Sequence, residues 1–254
     1  ILSGNDAGMF ELDAATGQLS VADPGLNYEA QDTYVLLVQV QDDGDNEMKD
    51  SAYITIHILN VNEAPTIQDT ARSLYENVEL GYLVGDTAIP HDDPENHDLQ
   101  FRIVSGDDAG VFAINGTGFL SVRDPKVNFE AQPAYALTIT VTDAGTNGAN
   151  RLSDSAIVSL TVLNVNEAPT MDAFSLAIAE NAALHAAIGS PVFGQDVDAS
   201  TNDADTLAYA ITGGASASKF AIDASTGAIT VAEAGALDFE TQAEYTLEVT
   251  ATDT

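Results

Sequence analysis

Oxygen ligands dominate the reactive side chains of this sequence. Its 254 residues contain 40 Asp and Glu against 7 Lys and Arg, a formal net charge of −33. Acidic side chains in such excess repel one another unless cations lie among them, and carboxylate, amide and carbonyl oxygens are the ligands of hard divalent cations. The composition therefore favours a protein that binds divalent metal ions through oxygen.

The same composition argues against other chemistry. Binding to nucleic acid or to an anionic membrane requires clustered Lys and Arg, and the absence of Cys excludes disulfides, thiolate metal sites and Cys nucleophiles. No apolar run approaches the ~18 residues of a membrane span, so we expect no direct membrane contact. GxSxG, HExxH and Walker motifs do not occur, which predicts that the protein is not an enzyme. The four His are scattered, and His91 and His97 are expected at the surface rather than as ligands.

Internal repeats set the domain organisation. The octapeptide LNVNEAPT occurs at residues 59–66 and again at 163–170, and ILSGNDAGMF at 1–10 matches IVSGDDAGVF at 103–112. A looser copy, ITGGASASKF, begins at Ile211. The period is roughly a hundred residues. We therefore expect a partial repeat at 1–64, a complete repeat at 65–168 and a partial repeat at 169–254 without its last strand, with neighbouring sequence or a second molecule completing both ends.

Alternation of apolar and polar residues predicts the secondary structure. In YALTITVTD, Tyr135, Leu137, Ile139 and Val141 face one way and the intervening residues the other, as in a half-buried strand. Gly, Asp, Asn and Pro turns separate further strand-like runs, which are residues 52–61, 81–89, 99–104 and 156–165. About seven short strands per repeat predict an all-β chain of immunoglobulin-like β-sandwiches.

Five motifs in a fixed order resemble those of cadherin repeats. VNFE, with its counterparts LNYE and LDFE, stands where that family has LDRE; a strand ending in VTD follows; and LNVNEAP stands in the place of the DxNDNxP linker. Glu-Asn at Glu76 and Glu180, and an Asp-x-Asp motif at Asp196, continue the order. The resemblance covers essentially the whole chain. It implies tandem Greek-key β-sandwiches in a linear rod, and NEAP together with the acidic composition favours the bacterial cadherin-like modules of large surface adhesins.

The resemblance also implies calcium at the junctions between repeats, where two or three Ca²⁺ would stiffen the linker. At the first junction the implied ligands are Asn27, Glu29, Asn60, Asn62, Glu63, Asp93, Glu95 and Asp143. At the second junction they are Glu76, Asn128, Glu130, Asn164, Asn166, Glu167, Asp196, Asp198 and Asp253, with the carbonyls of Val165 and Ala168 as additions. Asn at several positions where the family has Asp removes formal charge, so we expect weak extracellular affinities of ~10⁻⁴–10⁻³ M.

The acidic loop at residues 42–47 superficially resembles an EF-hand loop. It lacks the Glu at loop position twelve, and its sequence favours a hairpin turn with Asp42 in the place of Asp143 and Asp253.

Two functions of different classes fit these patterns. The first is a calcium-dependent segment of a cell-surface or secreted protein that acts in adhesion or as a rigid spacer, with neighbouring repeats and identical copies as candidate partners. The alternative is an array of carbohydrate-binding modules that recognises polysaccharide. Exposed aromatic side chains would distinguish them, and a sequence with no Trp, 8 Tyr and 9 Phe favours the first.

Overall fold

The computed structural model describes residues 1–145, 150–198 and 206–253. Within them the regular structure is mainly β, and a 3₁₀ helix lies at Ala217–Lys219. Two compact units account for the chain, one comprising Ile1–Leu74, Val78–Pro125 and Ala134–Thr161 and the other Tyr75–Asn77, Lys126–Pro133 and Val162–Thr254. The strands are β1 (Phe10–Leu12), β2 (Leu19–Val21), β3 (Thr33–Gln41), β4 (Lys49–His57), β5 (Thr66–Ile67), β6 (Thr70–Tyr75), β7 (His91–Asp92), β8 (Gln100–Ser105), β9 (Phe112–Ile114), β10 (Leu120–Val122), β11 (Ala134–Thr142), β12 (Ser153–Leu163), β13 (Ala208–Gly213), β14 (Phe220–Ile222), β15 (Ile229–Val231) and β16 (Glu248–Thr252). The predicted all-β architecture is confirmed.

Two antiparallel pairs, β1–β2 and β3–β4, build the first repeat. Phe10, Tyr34 and Leu36 form its buried core, with the Phe10 and Tyr34 rings edge to face at 5.1 Å. The acidic loop at 42–47 joins β3 to β4 as a hairpin, since Asp42 Oδ1 accepts a hydrogen bond from the Met48 N–H at 2.9 Å. The predicted hairpin turn is confirmed.

The middle repeat contains a four-stranded sheet in the order β6-β12-β11-β8 and the two-stranded pairs β5–β7 and β9–β10. The predicted inward face of β11 is correct, because Tyr135, Leu137, Ile139 and Val141 are all buried. On the other face of β11, hydroxyl groups pair across to β12, as Thr140 Oγ1 does with Ser155 Oγ at 2.9 Å. Alternation along one strand therefore separates the core from the solvent-facing side.

The predicted strand at 81–89 is wrong. Gly81 and Gly85 have φ of +85° and +88°, a left-handed conformation that interrupts an extended strand. The segment nevertheless runs beside β10, since the Val84 N–H donates to the Leu120 carbonyl at 2.9 Å and the Val122 N–H donates to the Tyr82 carbonyl at 2.8 Å. Hydrogen bonding to the neighbouring strand thus persists without regular strand geometry.

The last repeat contains the pairs β13–β16 and β14–β15. Its core is apolar and includes Phe220 and Ile229, and the Phe220 and Tyr245 rings lie edge to face at 5.5 Å. The positions of the two pairs along the chain repeat those of β8–β11 and β9–β10 in the middle repeat.

Candidate metal centres

A buried carboxylate organises the set of residues predicted for the second junction. Glu76, only 2% exposed, follows directly after β6. Its Oε2 accepts a hydrogen bond from the Phe129 N–H and its Oε1 from the Val165 N–H, each at 2.8 Å. One side chain therefore holds the VNFE segment and the NVNEAP linker in place around it.

Glu130 and Glu167 lie beside Glu76. Carboxylate oxygens of the three residues lie within 4.8 Å of one another. Both oxygens of Glu130 are shielded from solvent, and neither accepts a hydrogen bond from another described residue. Oε2 of Glu167 is shielded and unpartnered as well. Three negative groups at this distance repel one another strongly in a partly desolvated site.

Burial raises the pKa of Glu130 above its ordinary value. A hydrogen bond from its own backbone N–H lowers the pKa in part, while the negative charges of Glu76, Glu167 and Asp198 raise it further. The charged form of Glu130 is therefore disfavoured by the protein around it. A cation at this point would reverse the sign of that interaction.

The linker also contacts the acidic residues of the last repeat. The Glu167 N–H donates to Asp198 Oδ2 and the Asn166 side-chain amide donates to Asp253 Oδ2, both at 2.7 Å. Asp196 Oδ1 accepts from the Asp198 N–H at 3.0 Å, while its Oδ2 is shielded and forms no hydrogen bond with a described residue. We call Glu76, Glu130, Asn166, Glu167, Asp196, Asp198 and Asp253 the second cluster.

Most residues predicted for the first junction lie together in the same way. Asn62 donates its side-chain amide to Asp143 Oδ2 at 2.9 Å, and its Oδ1 is shielded and accepts no hydrogen bond from the part of the chain that the structure describes. The Glu63 N–H donates to Glu95 Oε1 at 3.0 Å, and carboxylate oxygens of Glu29, Glu63 and Glu95 lie within 4.8 Å of one another. We call Glu29, Asn62, Glu63, Asp93, Glu95 and Asp143 the first cluster.

Asp143 is fully buried at the end of β11. Burial alone would raise its pKa, but the hydrogen bonds from Asn62 and from the Leu152 N–H outweigh that effect and lower the pKa below its ordinary value. Asp143 is therefore held as a carboxylate, the form that binds a metal ion.

The expectation that His97 lies at the surface is wrong. Its side chain is only 21% exposed, and its Nδ1 lies 3.3 Å from Oδ2 of the buried Asp93. His91 is also partly buried, because it packs edge to face on Phe101 and its Nδ1 lies 2.7 Å from the Ile89 carbonyl oxygen. The positions of His91 and His97 in the sequence did not predict either contact, because both contacts depend on the conformation of the folded loop.

Asn27 and Asn128 have a local structural role. Their side-chain oxygens accept hydrogen bonds from the Ala30 and Ala131 N–H groups, each at 2.6 Å, and so close the turn that follows each motif. Asp238 occupies the matching position in the last repeat. Asn60 is exposed, and Asn164, Val165 and Ala168 lie along the linker on either side of the second cluster's Asn166 and Glu167.

Two contacts add residues that the predicted sets omit. Asn77 donates its side-chain amide to Glu167 Oε1, so the second residue of the Glu-Asn motif also belongs to the second cluster. Glu180 Oε2 accepts from the Phe239 N–H at 2.9 Å and thus repeats the bond between Glu76 and Phe129. Both residues could have been predicted from the repeated Glu-Asn motif in the sequence.

Comparison with known protein families shows which family the chain belongs to. The model of the cadherin domain matches residues 1–59, 71–163 and 174–254. The chain belongs to the cadherin domain family. Cadherin domains are non-enzymatic modules that generally bind calcium, so the predicted family and the prediction that this segment is not an enzyme are confirmed.

Curated relatives are large animal proteins. Human cadherin EGF LAG seven-pass G-type receptor 2 is 35% identical over the whole chain, which corresponds to 9% of that receptor. Mouse protocadherin Fat 4 is 31% identical, again over the whole chain and 5% of that protein. This cadherin chain therefore spans less than a tenth of the length of these relatives. They give no support to the bacterial modules that the sequence favoured, or to polysaccharide binding.

Solved cadherin structures share the fold. Mouse protocadherin-24 EC1-3 superposes with a TM-score of 0.70 at 21% identity, covering 99% of this chain and 82% of that one. Mouse cadherin-23 EC22-24 gives 0.68 at 24% identity, covering 97% and 77%. Both support the tandem-repeat architecture. None of the described residues forms a helix long and apolar enough to cross a membrane.

Proposed function

We propose that the first and second clusters bind Ca²⁺, and that bound calcium orders successive cadherin repeats in the extracellular part of a cell-surface adhesion protein. The observation that carries the proposal is Glu130, whose two carboxylate oxygens are shielded from water and lack a hydrogen bond from another described residue. An unpaired carboxylate in such surroundings costs several kcal/mol. A cation removes that cost.

The donor set fits calcium in particular. The clusters supply carboxylate and amide oxygens, and they hold shielded oxygens of Asn62, Asp93, Glu95, Glu130 and Asp196 that accept no hydrogen bond from other described residues. Ca²⁺ takes six to eight oxygen ligands in flexible geometry. Calcium would supply the positive charge that lets these carboxylates remain close together, while the protein fixes them through backbone donors such as the Phe129 and Val165 N–H groups.

Asn27, Asn60, Asn128, Asn164, Val165 and Ala168 remain proposed ligands with less support. In Asn27 and Asn128 the side-chain oxygen already closes a turn, so we propose that these two mainly shape the loop that presents Glu29 and Glu130. We further propose that the repeats are bounded near residues 64 and 168, within the NEAP sequences.

Calcium titration of the whole chain tests the proposal. Ligand linkage gives RT ln(1 + [Ca²⁺]/Kd), roughly 1.4 kcal/mol for each site at ten times Kd. Thermal melts in millimolar Ca²⁺ should therefore lie several degrees above those in EGTA, with Mg²⁺ at equal ionic strength as the control. Melting curves that coincide in calcium and in EGTA would refute calcium binding by these clusters.

We also propose self-association through cadherin repeats. A structure of protocadherin gammaB7 EC3-6 is described as a cis-dimer, which supports this mode for a related fold. Analytical ultracentrifugation in Ca²⁺ and in EGTA would measure it. A calcium-dependent dimer is the expected result, and a monomer at every concentration and calcium level would contradict it.

A further inference from the structure

The loop after β7 folds back over Asp93. Asn96 has φ of +54°, and its N–H donates to the Asp93 carbonyl at 3.0 Å. The His97 N–H then donates to Asp93 Oδ2. This turn brings the imidazole against a carboxylate that is itself only 6% exposed.

Three shielded ligand atoms of this loop, Asp93 Oδ1, Glu95 Oε2 and His97 Nδ1, form no hydrogen bond with any described residue. The one polar contact of His97 Nδ1 among them is the 3.3 Å approach to Asp93 Oδ2, which is an ion pair only when the imidazole is protonated. Each of the three residues offers a ligand atom within 4.8 Å of those of the other two. Leaving three buried polar atoms unsatisfied in one loop is costly. A metal ion held by the three residues would relieve this cost.

The nitrogen ligand changes which metal fits. Ca²⁺ takes oxygen ligands, whereas imidazole nitrogen combined with carboxylate oxygen suits Zn²⁺ and its first-row neighbours. Tetrahedral Zn²⁺ with bonds of about 2.0–2.2 Å separates its ligands by roughly 3.4 Å, a distance that small side-chain rotations can reach from the observed arrangement. A water molecule would complete four-coordination.

We propose that Asp93, Glu95 and His97 form a binding site for a divalent transition metal, with Zn²⁺ as the preferred ion. The second cluster has no histidine at the corresponding position. When Asp93-x-Glu95 is aligned with Asp196-x-Asp198, the residue that matches His97 is Ser200, which lies outside the described residues. Zn²⁺ and Ca²⁺ would therefore compete at the first cluster alone. That competition rests on the proposed calcium binding, whereas the zinc site does not.

Co²⁺ as a spectroscopic probe, followed by Zn²⁺ displacement, tests the site in calcium-free protein. The whole chain should bind one equivalent of Co²⁺ with visible d–d absorption, and His97→Gln should weaken Co²⁺ and Zn²⁺ binding at least tenfold. His57→Gln is the matched control, since His57 is exposed on β4 and its Nδ1 lies 3.2 Å from Thr33 Oγ1. That variant should bind as the parent chain does.

Two further measurements separate the possible outcomes. In the parent chain, the ¹⁵N resonance of His97 Nδ1 should shift on addition of Zn²⁺, which needs no variant to fold. Calcium affinity should stay within twofold in His97→Gln, so loss of zinc binding with calcium binding retained supports the zinc site independently of the proposed calcium function. Equal Zn²⁺ affinity in the parent chain and His97→Gln, or an unshifted Nδ1 resonance, would overturn the proposal.

Discussion

The side-chain amide of Asn62 lies 2.9 Å from Oδ2 of Asp143, and the amide of Asn166 holds the same relationship to Asp253 at 2.7 Å. In each case an uncharged linker Asn contacts the Asp that directly follows a strand, β11 or β16, of the next repeat. An Asn at this position donates a hydrogen bond that an Asp would lack. The linker can therefore stay close to the acidic strand end when no cation is bound.

Asn62→Asp should change stability in opposite directions with and without calcium. In EGTA the added carboxylate faces Asp143 and should lower the melting temperature, because like charges replace a hydrogen bond. In Ca²⁺ the extra charged ligand should tighten binding about tenfold, or about 1.4 kcal/mol. Calcium titration by calorimetry, with melts in both buffers, measures the two effects. Asn46→Asp, an equal change of charge at an exposed loop residue, should alter neither.

Glu130→Gln should likewise have opposite effects on stability in EGTA and in calcium. Removing a shielded, unpaired charge among Glu76, Glu167 and Asp198 should raise the melting temperature in EGTA. In Ca²⁺ the loss of a ligand should weaken binding by about tenfold or more, and by more than Asp253→Asn does, because Asp253 contacts one end of the cluster through Asn166. The exposed Glu233→Gln is the control. Equal calcium titrations of Glu130→Gln and Glu233→Gln would mean that Glu130 is only a solvated surface group.

The burial pattern of the strands and most members of the two clusters could be predicted from the sequence. The period of two fixes which residues of β11 are buried, and the ordered motifs predict which acidic residues gather in each cluster. Contacts that depend on loop conformation were not predictable in this way. His97 reaches Asp93 only because Asn96 adopts a left-handed conformation, and Gly81 and Gly85 interrupt a run that reads as a strand.

Gly106 is predicted to be intolerant of any side chain. Its φ is +83°, and a Cβ there would lie 2.0 Å from the Ala136 carbonyl oxygen in the neighbouring strand β11. Gly106→Ala must therefore shift backbone as well as adopt a strained conformation, and should destabilise the middle repeat by more than about 2 kcal/mol. Gly116→Ala, where no atom lies within 4 Å of the added Cβ, is the control. Chemical denaturation of both in Ca²⁺ measures the difference, and comparable free energies of unfolding would contradict the packing at Gly106.

Acid stability of the last repeat should depend on Asp223. Its Oδ1 accepts hydrogen bonds from the N–H and hydroxyl groups of Ser225 and Thr226, at 2.7 to 3.0 Å, in the turn between β14 and β15. These bonds, with the Ser225 hydroxyl as the largest contribution, lower the pKa of Asp223 to about 2. Because the folded pKa lies below the unfolded value near 3.8, the stabilisation is complete above about pH 4 and is lost as the pH falls through 2.

Asp223→Asn supplies the test, because the middle repeat already uses Asn at this turn. Asn115 Oδ1 accepts from the Thr117 N–H at 3.0 Å and the Thr117 hydroxyl at 2.9 Å, an arrangement without a titrating charge. The variant should keep its turn and lose less stability between pH 4 and pH 2 than the parent chain. Denaturation curves at the two pH values, with the Asp223 carboxyl carbon followed by NMR, measure this. A carboxyl that titrates near 3.8 in the folded chain would show that the turn does not stabilise the charge.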